Sequence, residues 1–267
     1  MSLALITGAS SGIGLELARR FAEHGYDLII AAENSDIHVA AQKLGPSGVH
    51  IRPIQVDLRT GKGVEDLYRQ VSADGQPLDA AALNAGVGLG GSFVDSSVDD
   101  ALALVDLNVR STVHLAKLIL PGMVRRRGGK MLFTSSIAST MPGSHQAVYN
   151  ASKSFIQSLS EALHDELGKT GVTVTALMPG PTETNFFRRA GMAGTRIGRM
   201  SRKDDPVEVA REGFDALMDG DRKIVAESLL TKAMGIGNKL LPDSVKAAAN
   251  RVMSTPRSTA SSTEKNR

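Results

Sequence analysis

Short apolar runs alternate along the chain, up to Ala226, with segments whose apolar positions recur at helical spacing. The runs predict strands at Leu3–Thr7, Asp27–Ala31, His50–Val56, Asp79–Leu83, Lys130–Thr134, Val172–Met178 and Lys223–Ala226. Helices are predicted between them at Ile13–His24, Asp36–Leu44, Gly63–Ala73, Val98–Val109, Thr112–Arg126, Ala147–Lys169 and Pro206–Met218. Strand and helix in alternation means βαβ units and a parallel sheet buried on both faces. Right-handed crossovers then build a single-domain, Rossmann-like α/β fold, a doubly wound sheet of about seven strands with helices on both faces. One strand carries Pro53, which cannot donate to a central ladder and belongs at a sheet edge. In the order 3-2-1-4-5-6-7 the third strand is an edge, so the proline favours that order.

No internal repeat or polar linker divides the chain, and residues 1–226 are read as one domain. Two stretches break the alternation. Asn185–Asp205 is rich in glycine and arginine without clear periodicity, long for a structureless connection, and is expected to act as a lid. Its Phe186, Phe187, Met192, Ile197 and Met200 stand among Arg188, Arg189, Arg196, Arg199 and Arg202. That mixture suits an apolar chain ending in an anion, or else a mobile loop with solvated arginines. Residues 227–253 are expected to form a helical extension, broken at Pro242, and 254–267 a disordered tail.

Composition narrows the function. Hydrophobic residues make up 42% and charged residues 22% of the 267, an ordinary globular balance. No run is long enough to span a bilayer, and the start of the chain lacks the features of a secretion signal. The absence of cysteine excludes thiol nucleophiles and cysteine metal sites and fits a reducing, cytoplasmic setting. Net charge is +3, with 16 basic and 10 acidic residues from Phe186 onward and 15 against 18 before it. The basic third has no long basic run, and 10 aromatics are few for base stacking, so a nucleic-acid partner is not expected. The six histidines show no metal-ligand spacing.

Candidate chemistry starts at the end of the first strand. Gly8-Ala9-Ser10-Ser11-Gly12-Ile13-Gly14 leads directly into a helix. Glycines there let the backbone approach a pyrophosphate, and the helix N-terminus offers free N–H groups to it. Gly8 to Gly12 also matches the G-x-S-x-G elbow of α/β hydrolases, with Ser10 as nucleophile, although that elbow normally follows several strands. A P-loop is excluded because no lysine follows Gly12 and Ile13.

Tyr149 and Lys153 stand four apart on one predicted helix and share a face. A cation about 4 Å from the phenol, at an effective dielectric near 20, is worth roughly 4 kcal/mol before desolvation. That would bring a tyrosine down from its ordinary pKa of about 10 into range for proton transfer. Ser136, thirteen residues before Tyr149, ends the fifth strand. Asn108 interrupts a helical pattern, either as a structural amide or as part of a relay. Asn84-Ala85-Gly86 ends the fourth strand and Pro179–Thr184 the sixth, so all these segments meet at one sheet edge. His145, four residues before Tyr149, is a further candidate for touching substrate.

These motifs, in this order and spacing, resemble the short-chain dehydrogenase/reductase family from about Ser2 to Ala226. They comprise Thr7–Gly14, Asp57-Leu58, Asn84–Gly86, Asn108, Ser136, Tyr149 with Lys153, and Pro179–Thr184. The resemblance implies an NAD(P)-dependent oxidoreductase that moves a hydride between nicotinamide and a secondary alcohol or ketone. It implies Tyr149 as the acid or base, Ser136 orienting the substrate oxygen, and Lys153 binding the nicotinamide ribose and lowering the pKa of Tyr149. Asn108 would hold a relay water, Asp57 and Leu58 would lie by the adenine, and Asn84–Gly86 along the adenosine. Pro179, Gly180, Thr182 and Thr184 would reach the nicotinamide or pyrophosphate. The resemblance also implies a homodimer or homotetramer. Glu33, after the second strand, stands where members using the phosphorylated cofactor usually place an arginine, so NAD is expected over NADP. Arg59, just after Asp57-Leu58, is the residue that would reverse that preference by swinging onto a 2′-phosphate. The alternatives are a catalytically silent dinucleotide-binding regulator and, further off, the Ser10 hydrolase.

Overall fold

The structure, a computed structural model, describes residues 2–226 and 243–255. Seven strands form one sheet: β1 (Leu3–Thr7), β2 (Asp27–Ala32), β3 (Ile51–Gln55), β4 (Ala80–Leu83), β5 (Gly129–Thr134), β6 (Val172–Pro179) and β7 (Lys223–Ala226). All neighbours are parallel, in the order β3-β2-β1-β4-β5-β6-β7. The proline argument holds. Val56 N–H donates inward to the Ala32 carbonyl, and the two-residue period of the ladder then turns the nitrogen of Pro53 outward, away from β2.

The helices are α1 (Gly12–Glu23), α2 (Asp36–Leu44), α3 (Gly61–Ser72), α4 (Val98–Val105), α5 (Thr112–Arg126), α6 (Ala147–Leu167), α7 (Phe186–Arg189), α8 (Pro206–Asp219) and α9 (Asp243–Ser254). Successive residues of each strand feed opposite cores. Leu3 and Leu5 join Leu67 of α3, Ile119 of α5 and Ile156 of α6 on one face. Ala4 and Ile6 join Leu17 and Phe21 of α1, Ile37 of α2 and Phe214 of α8 on the other. The pleat therefore divides one apolar run between two cores, which is why the strands read as continuous apolar sequence.

Two segments differ from expectation. The helices expected at Val98–Val109 and Thr112–Arg126 are continuous through a wider, π-helical turn at Asp106–Ser111. Such a turn accommodates an extra residue, and Asn108 is buried within it. Asn185–Asp205 is also not structureless. It contains α7, and Phe187, Ala190 and Met192 pack into a small apolar cluster of their own. Arg188, Arg189, Arg196, Arg199 and Arg202 are all exposed, as the solvated reading expected.

The extension expected at 227–253 is helical over Asp243–Ser254, and the broken stretch at 227–242, Pro242 included, lies outside the described residues. Of the tail expected from 254, Ser254 ends α9 and is buried, while 256–267 lie outside the described residues. No helix among the described residues is long and apolar enough to cross a membrane.

The outward nitrogen of Pro53 and the closed packing of Phe21 predict opposite responses to substitution. Phe21 is fully buried and packs edge-on against Phe214 and Tyr26, with ring centroids 5.0 and 5.2 Å away. Phe21→Ala should cost about 3–5 kcal/mol in denaturant unfolding. Pro53→Val should stay within about 1 kcal/mol of the parent, because the N–H it restores faces solvent.

Candidate active site

One continuous cleft of about 480 Å³ runs along the carboxyl ends of β1, β2, β4, β5 and β6. Its floor is the first crossover. Gly8 turns the chain after β1 at φ 68°, a left-handed value that glycine adopts without strain. At Gly14 an added Cβ would lie 2.2 Å from the Gly8 carbonyl oxygen and 2.6 Å from Asn84 Nδ2. That closeness presses the start of α1 onto the turn. The first turn of α1 holds no acidic residue, and Ser11 makes no side-chain cap, so the N–H groups there remain for a ligand. Ser10, Ser11, Gly12 and Ile13 line the cleft at this point. A pyrophosphate fits such a cradle by shape and charge.

Asn84 holds the wall beside it. Its Nδ2 donates to the Thr7 carbonyl at 3.2 Å, and its Oδ1 accepts from Thr134 Oγ1 at 3.0 Å. The backbone N–H groups of Asn84 and Ala85 both donate to Thr7 Oγ1, each at 3.0 Å. Three strand ends are thereby fixed to one another, and Asn84, Ala85 and Gly86 all face the cleft.

At the far end of the cleft Glu33, Asp57 and Leu58 stand where β2 and β3 finish. Arg59 lies between the two acids. Its Nε is 2.9 Å from Asp57 Oδ1, its Nη2 2.9 Å from Asp57 Oδ2, and the same Nη2 3.1 Å from Glu33 Oε2. The Arg59 guanidinium holds the Asp57 carboxyl below its ordinary range, chiefly through these hydrogen bonds.

The reactive end is built by the loop after β5 folding back on α6. Asn150 Nδ2 donates to the carbonyls of Ala138 and Met141 at 3.0 and 3.1 Å, and Ser154 Oγ donates to the Ser139 carbonyl at 2.8 Å. This lashing brings Ser136 beside Tyr149, near enough for its hydroxyl to lower the pKa of the phenol. Ser136 Oγ is oriented further by accepting from Ala138 N–H at 3.1 Å and donating to the Pro179 carbonyl at 3.4 Å. Lys153 Nζ donates to the Thr134 carbonyl at 2.8 Å and lies 5.9 Å from the centroid of the Tyr149 ring. Pro179, Gly180, Thr182 and Thr184 complete this side of the cleft. Asn108 stands behind it. Its Oδ1 accepts from Val87 N–H at 2.9 Å, while Nδ2 donates to the Val87 carbonyl at 2.9 Å and to Ser152 Oγ at 3.1 Å.

A phosphate cradle and a serine, tyrosine and lysine share one cleft on a seven-stranded parallel sheet. The family model for short chain dehydrogenase matches residues 2–193. The chain belongs to the short-chain dehydrogenase family. Oxidoreductase UcpA of Escherichia coli strain K12 is 33% identical over 217 residues, covering 80% of this chain and 79% of that protein. An uncharacterized short-chain type dehydrogenase/reductase of Sinorhizobium fredii, y4eK, is 35% identical over 189 residues, covering 70% and 73%.

Among solved structures, a short-chain dehydrogenase from Sphingobium yanoikuyae in complex with NADPH superposes with a TM-score of 0.78. It is 26% identical, with 97% of this chain and 98% of that one covered. The bulky-bulky ketone specific alcohol dehydrogenase from Comamonas testosteroni gives 0.77 at 26% identity, covering 90% and 92%. This protein is therefore an oxidoreductase of the short-chain dehydrogenase type.

The geometry differs from two sequence expectations. His145 does not line the cleft. It sits at φ 62°, its carbonyl accepting from Gly91 N–H at 2.9 Å, and the next residue, Gln146, faces the cleft instead. The Asn108 amide is engaged by Val87 and Ser152, which fixes its side chain behind the cleft.

The second concerns Tyr149. Burial pushes its pKa up to about 12, against a smaller lowering by the Ser136 hydrogen bond, and burial pushes Lys153 down to about 8. Desolvation outweighs the attraction that their spacing suggested, because both side chains are buried and the ammonium is turned toward Thr134. Ser10 lines the glycine turn as a cradle residue, and no hydrogen bond among the described residues joins it to a histidine, which leaves the hydrolase reading without a base. Gln146, Met141, Asn250 and Met253 are cleft residues that the sequence did not single out. They belong to no spacing motif.

The displaced lysine has a measurable consequence. With Lys153 at about 8 in the fold against an ordinary 10.5, the native state holds fewer protons than the unfolded state between those values. Its burial cost is therefore full at neutral pH and is relieved as pH climbs through that window. Tyr149, raised from 10.0 to about 12, acts oppositely above pH 10. Lys153→Met should gain up to about 3 kcal/mol relative to the parent near neutral pH, less the lost bond to Thr134. That advantage should shrink steadily toward about pH 10 in paired urea titrations. A gap independent of pH would show that Lys153 is not titrating in the window.

Proposed function

We propose that this protein reduces a ketone to a secondary alcohol with a nicotinamide dinucleotide, and that Ser136, Tyr149, Lys153 and Asn108 are its working residues. The observation that carries the reading is the buried phenol of Tyr149, in one cleft with Ser136 and pushed up to about 12, hence protonated at physiological pH. A protonated phenol is a proton donor, which is the role that reduction needs. Ser136, with its hydroxyl oriented by Ala138 and Pro179, holds the substrate oxygen beside that phenol. Tyr149 gives its proton to the oxygen as negative charge develops there. The Lys153 ammonium, 5.9 Å from the ring, then stabilises the phenolate that remains. Asn108 acts from behind as a positioning residue, holding Val87 and Ser152.

When bound, the dinucleotide supplies the hydride. The turn from Gly8 to Gly14 would take its pyrophosphate, Asp57 and Leu58 would flank the adenine, and Thr184 would lie toward the nicotinamide half. The named activities of structural neighbours support the class. One is the Comamonas ketone-specific alcohol dehydrogenase, and another is an L-sorbose reductase from Gluconobacter frateurii complexed with NADPH and L-sorbose, 25% identical at TM-score 0.73. The segment 185–205 serves as the lid, its α7 end placing Phe186 5.3 Å from Tyr149, centroid to centroid. The expected homodimer or homotetramer has a ready surface in the exposed Val98, Leu102 and Val105 of α4.

Of the two dinucleotides, NAD(H) is the better fit. Glu33, Asp57 and Arg59 sum to one negative charge, and Arg59 is committed to both acids. A 2′-phosphate would meet that net charge and would have to strip Arg59 from its partners. All three side chains are about half exposed, so screening keeps the discrimination modest.

Tyr149→Phe should lower turnover about 10²–10⁴-fold while leaving dinucleotide affinity within a few-fold, because the lost hydroxyl serves proton transfer alone. Turnover near the parent's would remove Tyr149 from the reaction. For the cofactor, NAD(H) should raise the melting temperature more than NADP(H) at equal concentration. Glu33→Gln should narrow the affinity ratio by about tenfold or less, and Arg59→Ala should widen it. Greater stabilisation of the parent by NADP(H) would instead make Arg59 a phosphate ligand.

A further inference from the structure

The helix α9 lies beyond residues 2–193, the part of the chain matched to the family. It nevertheless walls the reactive end of the cleft, where Asn250 and Met253 join Met141, Gln146 and Phe186. Polar bonds among the described residues dock it. Ser144 Oγ donates to the Ala247 carbonyl at 3.2 Å, Ile197 N–H donates to the Met253 carbonyl at 3.1 Å, and Gln146 Nε2 donates to Ser254 Oγ at 2.6 Å. Ser254 Oγ in turn donates to Asn250 Oδ1 at 2.7 Å. Gln146, Asn250 and Ser254 are only 7, 8 and 3% exposed.

Each carboxamide therefore uses one end on the Ser254 hydroxyl. Its other end has no protein partner among the described residues, although both side chains line the cleft. These amide ends are not sealed from solvent, so a ligand hydroxyl would replace water as their partner in the cleft. Exchanging oxygen and nitrogen in both amides preserves the pattern, since the hydroxyl would then accept from Asn250 and donate to Gln146. In either arrangement the cleft receives one N–H donor and one carbonyl acceptor. Gln146 lies three residues before Tyr149, at the cap of α6, so this pair stands about one turn from the phenol.

We propose that Gln146 and Asn250, joined through Ser254, form a substrate subsite for a hydroxyl group remote from the reacting carbonyl, making the substrate a hydroxylated ketone. A hydroxyl donates once and accepts, matching the two free amide ends together. A hydrocarbon ketone would leave both ends bare. The assignment rests on the ketone-reductase reading above and deepens it.

The test compares hexanone with hexanones hydroxylated at successive carbons, using the intact enzyme with NADH and with NADPH. At least one hydroxylated ketone should exceed hexanone in kcat/KM by about tenfold or more, since a site built to bind a hydroxyl rejects the compound lacking it. Asn250→Leu should reduce that ratio about 10–100-fold, mainly through KM. Ser254→Ala, which unties both amides, should reduce it as well and serves if the leucine variant does not fold. No preference in the parent, or a ratio unchanged by either variant, overturns the subsite.

Failure to reduce any of these ketones would count against the ketone-reductase reading, and the subsite is then decided by binding alone. The corresponding hexanediols should raise the melting temperature of the NAD-loaded parent more than hexanol does. That difference should vanish in Ser254→Ala. Equal shifts by diol and alcohol in the parent would refute it.

Discussion

The distances that matter in this protein depend on the ends of β1, β4 and β5 being held level. Asn84 does this, with one amide edge on the Thr7 carbonyl and the other on the Thr134 hydroxyl. Both flanking strands are attached on either side of β4, so the clamp sits at the centre of the sheet. From it the constraint runs in two directions. Toward the glycine turn, Asn84 and Ala85 pack against Gly8 and Gly14 closely enough to exclude any side chain there. Toward the reactive end, Thr134 gives its carbonyl to Lys153. The phosphate cradle and the lysine are thus parts of one hydrogen-bonded frame, and a disturbance at Asn84 would reach both.

Burial then sets the chemistry. Tyr149 and Lys153 are packed under the loop after β5, and that enclosure moves their pKa values apart, the phenol up and the ammonium down. An exposed helix with the same spacing would do neither, because water would solvate both charged forms. The enclosure depends on Asn150, which binds the loop to α6, and on Phe186, which covers the ring of Tyr149. Residues with no chemistry of their own thereby decide in which protonation state the reactive ones rest.

Around this frame, two further parts are attached at the periphery. The 185–205 segment folds on its own small cluster, and α9 is docked by polar bonds to Ser144, Gln146 and Ile197. Both close the end of the cleft at Tyr149, whereas the end at Glu33 and Asp57 is built from strand ends and the first crossover.

The sheet was legible in the sequence because its physics is local and periodic. Alternating strand and helix signals, with Pro53 marking an edge, were enough to order seven strands, and Leu3–Thr7 and Lys223–Ala226 were bounded to the residue. The glycine turn and the pairing of Tyr149 with Lys153 were legible for the same reason, since fixed spacing on one turn or one helix determines who neighbours whom. What the sequence left undecided depends on contacts between distant segments. The left-handed turn at His145 hands the cleft to Gln146, the π-helical turn commits Asn108 to Val87, and burial reverses the expected shift of Tyr149. Gln146 and Ser254 are separated by 108 positions and meet only because α9 folds back over the site. No periodicity encodes such a meeting, because it is a property of how the elements pack and not of any one of them.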